Sequence, residues 1–212
     1  MISGAIAERL IVAARDEGSN EVLLFAIEAG RVGVTLDPFM PIDSLAMATI
    51  AFEDVFARDA ELLCGPAHGR AALDQAYDMG RLHLAAEMLG AADDAFERTL
   101  DYLKTRVQFG RPIGSFQALQ HRAAKLFGDL EIARSVLIKA ASEPSPALIS
   151  LAKATIGDTA KHTLIEAVQL HGGIGVTDEF DLGLYVKRVR VAAQMLGDSS
   201  FHIERYARLS GL

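Results

Sequence analysis

The chain has 212 residues, 50% of them hydrophobic, and a formal net charge of -7 from 28 acidic and 21 basic side chains. It is long enough to bury a substantial core in one or two domains, and its dispersed lysines and arginines argue against a nucleic-acid partner, which needs them clustered. The single Cys64 excludes an intrachain disulfide or a cysteine metal cluster and fits a reducing, cytoplasmic setting. The six histidines show no metal-ligand spacing, no apolar run approaches the roughly 20 residues of a membrane span, and no secretory signal pattern opens the chain.

Met1 to about Glu61 reads as short strands. "RLIVAAR" and "EVLLFAIE" are apolar runs separated by Asp16-Glu17-Gly18-Ser19-Asn20, a set of residues suited to a turn. "VGVTLDPF" and "MATIAFEDVFA" follow, parted by Pro38 and Pro41. A sheet of so few strands leaves edges and a face uncovered and calls for a partner surface.

From Gly65 the period changes. Leu73, Tyr77, Leu84, Met88, Ala92, Phe96, Leu100 and Leu103 recur at helical spacing, predicting one long helix that stops before Gly110-Arg111-Pro112. Phe116, Leu119, Ala123, Leu126, Leu130, Ala133, Leu137 and Ala140 predict a second, with Ser115 as its N-cap and "SEPSP" at Ser142–Pro146 as its end. A third runs from about Ala147 to His171, where Gly172-Gly173 stop it, and shorter helices cover Leu182–Met195 and Ser199–Leu209. The fold class is thus mainly α, an up-down helical bundle over residues 65–212 preceded by a small antiparallel β segment over 1–64. The acidic pairs Asp93-Asp94 and Asp178-Glu179 read as solvated faces or helix-start charges.

Polar residues with chemical potential collect at helix ends. "KTRVQFGRPIGSFQALQHRAAKL", "EAVQLHGGIGVTDEF" and "GDSSFHIER" carry, in order and spacing, a resemblance to the acyl-CoA dehydrogenase family. The resemblance covers nearly the whole chain. Its β segment is similar to the second half of that family's barrel-like middle domain, and the family's N-terminal helical domain and first half of the β-domain have no counterpart here.

The resemblance implies FAD as cofactor and acyl-CoA as substrate. In the family an arginine matching Arg106 pairs with the flavin dinucleotide's pyrophosphate, work suited to a planar guanidinium. Residues matching Phe109 and Gln117 line the adenine and diphosphate region, and Gln169, Leu170, His171, Gly172 and Gly173 match a second dinucleotide-binding segment. Because the family builds this site across two subunits, these residues would serve a neighbour's flavin. Asp198, Ser199 and Ser200 fall where the family uses hydroxyls and amides near the cofactor, so Asp198 and Ser200 join the cofactor set, with Asp198 departing as a carboxylate. Asp78 and Arg81 match residues near the thioester and pantetheine arm. Taken singly, each has a plainer account: a solvated cation at Arg106, a helix stop at Gly172-Gly173, a packing or capping imidazole at His83 and His171.

Family chemistry removes an α-proton with a glutamate while hydride leaves the β-carbon for the flavin. The two family positions for that base are occupied here by Leu196 and Gly80, so no catalytic residue is assigned; Glu87 and Asp198 are nearby carboxylates without the family spacing. Two expectations follow. The chain is a fragment or non-catalytic subunit of a flavin-dependent acyl-CoA dehydrogenase, working as a homo-oligomer or with a longer partner subunit, as in heteromeric members of lipid or steroid degradation, and binding flavin weakly or not at all by itself. The alternative is a non-enzymatic assembly protein that keeps the bundle.

Overall fold

The computed structural model describes residues 4–212, and the chain divides into two units, Met1–Tyr77 and Asp78–Leu212. The division falls inside the first long helix, whereas the change of sequence period lies at residues 64/65. The first three residues of the expected β segment lie outside the described residues.

The first unit holds β1 (Arg9–Arg15), β2 (Val22–Glu28), β3 (Val34–Phe39), β4 (Met47–Phe52) and β5 (Leu62–Cys64). β1, β2 and β5 form one antiparallel sheet in that order, with Val12 opposite Phe25, and β3 pairs with β4, with Leu36 opposite Ile50. The turn between β1 and β2 forms because the Asp16 carboxylate accepts from both the backbone N–H and the hydroxyl of Ser19, while Asn20 takes a left-handed φ of 60°. Leu10 and Ala48 are buried, but Ile11, Phe39 and Phe52 stay exposed.

The second unit is built on α1 (Pro66–Thr105), whose first twelve residues belong to the first unit, α2 (Gln117–Ser142), α3 (Pro146–His171), α4 (Leu182–Gln194) and α5 (Ser199–Leu209). α3 packs against α2, α4 and α5. Ala85, Ala92, Ala133, Ala152 and Ala160 are buried along the seams, where small side chains let helices approach closely, and Met88, Leu126, Leu130, Ile156 and Leu164 fill the space between them. Burial on nearly all sides of α3 explains its run of alanines and isoleucines better than a single apolar stripe does.

Three local readings change. Ser115 is not the N-cap of α2: its hydroxyl donates to the Pro112 carbonyl at 2.8 Å, and Phe116 occupies the cap position. Ser145 does cap α3, accepting from the Leu148 N–H, with Pro146 in the first turn, so "SEPSP" starts one helix as well as ending another. Asp93 and Asp94 reach across helices as well as facing solvent, Asp93 pairing with Arg134 and Asp94 accepting from Tyr185, while Arg98 one turn along α1 also donates to Asp94.

Candidate functional site

Between α1 and α2 the chain makes a small β-hairpin, β6 (Val107–Gln108) and β7 (Arg111–Pro112), that the helical patterning did not reveal. Its two turn residues, Phe109 and Gly110, have φ of 56° and 79°, the left-handed pair that a tight hairpin needs. Glycine accepts that conformation freely; phenylalanine does so at a cost of roughly 1 kcal/mol. Phe109 is nonetheless 91% exposed, set edge-on to Phe116, whose ring also lies under the Arg111 guanidinium at 4.1 Å. The Arg106 carbonyl accepts from the Ile113 N–H, which ties the base of the hairpin to the end of α1.

Behind this hairpin lies an open concavity of about 430 Å³. It brings Arg106 together with Gln169, Leu170, His171, Gly172 and Gly173 from the end of α3, as well as Tyr102, Gln108 and Arg122, which the sequence reading did not single out. No acidic residue lines it. Among the described residues the Arg106 guanidinium has no acceptor, whereas Arg122 donates from Nε to Glu166 at 2.7 Å. That pairing holds the Glu166 carboxyl below its usual range.

α3 ends where Gly172 turns to a φ of 65° and donates its N–H back to Val168 and Gln169. Neither Gly172 nor Gly173 is crowded, since a β-carbon on either would meet no other atom within 4 Å. At Gly173 packing therefore places no demand for glycine, and the space in front of its backbone is free for a ligand. His171 is buried between Tyr102 and Phe180, with ring centroids 4.4 and 4.6 Å away. Its Nδ1–H donates to Ala167 at 2.8 Å, and burial pushes its pKa down, so the ring is neutral and its buried Nε2 lone pair is without a partner among the described residues. A free guanidinium, exposed amide side chains, an aromatic on a stiff turn and uncrowded glycines suit a nucleotide diphosphate. Gln117 stands exposed at the first turn of α2 but does not line the concavity.

Asp78, Arg81, Asp198 and Ser200 form no part of that corner. The Asp78 carboxylate accepts from Arg81 and Arg205, each at 2.8 Å. Arg205 also donates to Ser150, Ser150 contacts His202 Nδ1, and His202 Nε2 donates to the Leu196 carbonyl, which Arg81 Nε reaches as well at 3.0 Å. The result is a closed ring of hydrogen bonds around the Leu196 turn. Burial first, then the nearby Lys153 and Arg81 charges, pushes His202 down to about 4, so its imidazole is neutral. Beside the ring, Lys153 donates to the carbonyls of Ala192, Ala193 and Gly197, all at 3.1 Å; burial brings its pKa down to about 8. Asp198 caps α5 by accepting from the Phe201 N–H, and Ser200 is exposed in the first turn of the same helix.

Gly80 and Leu196 meet in this cluster. A β-carbon added at Gly80 would lie 2.8 Å from Leu196 Cδ1, so the two positions face one spot and the leucine side chain occupies it. Leu196 holds a φ of 57°, a strained conformation for a branched side chain. Glu87, the other carboxylate considered, is engaged by Arg188.

The profile of the acyl-CoA dehydrogenase C-terminal domain matches residues 67–210. The chain is 44% identical over 119 residues to acyl-CoA dehydrogenase IpdE2 of Mycobacterium tuberculosis, covering 56% of this chain and 37% of that protein. Its fold superposes on butyryl-CoA dehydrogenase from Megasphaera elsdenii with a TM-score of 0.92 at 25% identity, over 100% of this chain and 58% of that one. A structure of PigA with FAD and proline gives 0.92 at 26% identity, again over 100% and 58%. The chain thus spans well under two thirds of the length of these relatives. With the motif order, the bundle and the matched domain in agreement, the chain belongs to the acyl-CoA dehydrogenase family.

Proposed function

We propose that this chain supplies the second-subunit half of an FAD site within an acyl-CoA dehydrogenase assembly, and that a longer partner subunit contributes the catalytic base and the flavin-ring pocket. The observation that carries the reading is the contrast at Gly80 and Leu196: the one spot on which both base positions converge holds a leucine side chain, while the corner around Arg106 keeps its open donors. When bound, flavin accepts the hydride in α,β-dehydrogenation of an acyl-CoA thioester. This chain's part is to hold and orient. Arg106 faces the pyrophosphate, Gln169 and the Gly172-Gly173 backbone border it, and Phe109 with Gln117 flanks the adenine side. Asp78 and Arg81 act on the substrate side by fixing the Leu196 turn.

Half a site forfeits the ring contacts while the cost of immobilising the ligand remains, so flavin binding by this chain alone is weak. Losing a general base typically forfeits about 10²–10⁴-fold in rate. The test is reduction of an artificial electron acceptor with a series of acyl-CoA thioesters, using the chain alone and the chain mixed with longer family members. Activity on mixing only, lowered by Arg106→Ala and not by Leu196→Ala, is the expected result. Turnover by the isolated chain, or purification of that chain with stoichiometric yellow flavin, defeats the proposal.

A further inference from the structure

We infer that Arg122 is a second phosphate-binding guanidinium of the corner, with Glu166 as the positioning residue that holds it there. The inference rests on reading the corner as a dinucleotide half-site and names the group that completes its charge. Arg122 lies on α2 and lines the same concavity as Arg106. Its Nε donates to Glu166 on α3, and among the described residues its two terminal nitrogens have no acceptor. The pair is partly buried, with side chains 35% and 22% exposed, so the guanidinium is held by its inner edge and offers its outer one.

A diphosphate brings more than one negative charge, and Arg106 answers one of them. A second planar donor allows the two phosphates to be held separately, with less conformational freedom left to lose because Glu166 has already fixed the fork. No carboxylate lines the concavity to compete for those donors. The plainer role, a strut between α2 and α3, accounts for the Nε contact but not for Arg122 lining the same concavity as Arg106 with its two terminal nitrogens unpartnered among the described residues.

The experiment titrates the full ¹⁵N-labelled chain with ADP and follows backbone amide and arginine Nε–H signals, which report even millimolar binding. Arg122→Ala is expected to weaken ADP binding roughly tenfold, since charge-assisted hydrogen bonds are lost. Lys125→Ala, which removes a cation one turn along α2 outside the concavity, is expected to stay within about twofold because it takes away only screened, long-range attraction. If Arg122→Ala unfolds the chain, Arg122→Lys decides, because it keeps the charge and reaches Glu166 but loses the fork: binding weakened severalfold supports the inference, and unchanged binding overturns it. Arg122→Ala that binds ADP like the wild type while Arg106→Ala does not overturns the role of Arg122 and leaves the half-site standing. Indifference of ADP to Arg106→Ala, or no ADP-induced shifts in the wild-type chain, overturns both.

Discussion

The two polar regions of the bundle use arginine in opposite ways. Around Leu196, Asp78, Arg81, Arg205, Ser150 and His202 satisfy one another in a closed ring. Around the β6–β7 hairpin, Arg106 has no acceptor among the described residues, Phe109 is almost wholly exposed on a strained turn, and two glycines face open space. A buried ring whose donors and acceptors are all matched fixes a backbone turn, whereas a corner with spare donors is shaped for something outside the chain. Mutation should therefore register as stability in the first region and as ligand affinity in the second.

The largest effect is expected from Asp78→Asn, which leaves Arg81 and Arg205 buried without their counter-charge. Breaking a buried pair in this way costs about 3–5 kcal/mol, measurable as a shift of the urea midpoint; a loss below 1 kcal/mol breaks the comparison. Next comes pH. The unfolded imidazole of His202 titrates near 6.5 and the folded one near 4, so the contribution is complete above 6.5 and is lost as pH falls through that window. By pH 4.5 the loss amounts to about 2–3 kcal/mol. Urea unfolding at pH 7.5, 6 and 4.5 should show this slope in the wild type and a flatter one in His202→Gln.

The corner should behave otherwise. Arg106→Ala is expected to change stability by less than about 0.5 kcal/mol while removing the ADP response in the NMR titration. A large fall in its melting temperature would show that the corner belongs to the fold after all. The smallest effect is expected from Phe109→Gly, which relieves the left-handed strain and should raise stability by about 0.5–1 kcal/mol. The same change should weaken adenine-nucleotide binding, since the exposed ring is gone; thermal melts and titration on one sample separate the two outcomes.

Much of this contrast was legible in the residue order. The five helices follow from three-and-four spacing, and the Arg106, Gln169 and Gly172-Gly173 set follows from motif spacing, because helix periodicity and glycine stops are local. The misreadings are non-local. Ser115 has the right chemistry for a cap, yet its hydroxyl turns back to Pro112 because the hairpin ahead of it sets the chain's direction. Arg122 carried no motif in sequence; the contact that holds its Nε comes from Glu166, forty-four residues away. Lys153 gave no signal either, since a lysine on an apolar helix face normally reaches water.

The burial of Lys153 gives the bundle a built-in clock. The residue is 1% exposed and its amine is engaged by three carbonyls, so an amine-reactive reagent reaches it only when the end of α4 and the Leu196 turn come apart. Lys104 and Lys139, with side chains 70% and 54% exposed, acylate without such an event. The lag of Lys153 behind them, read by mass spectrometry, reports how often that segment opens under native conditions. A ligand that tightens the turn would slow the Lys153 signal alone, without any label placed on the protein beforehand.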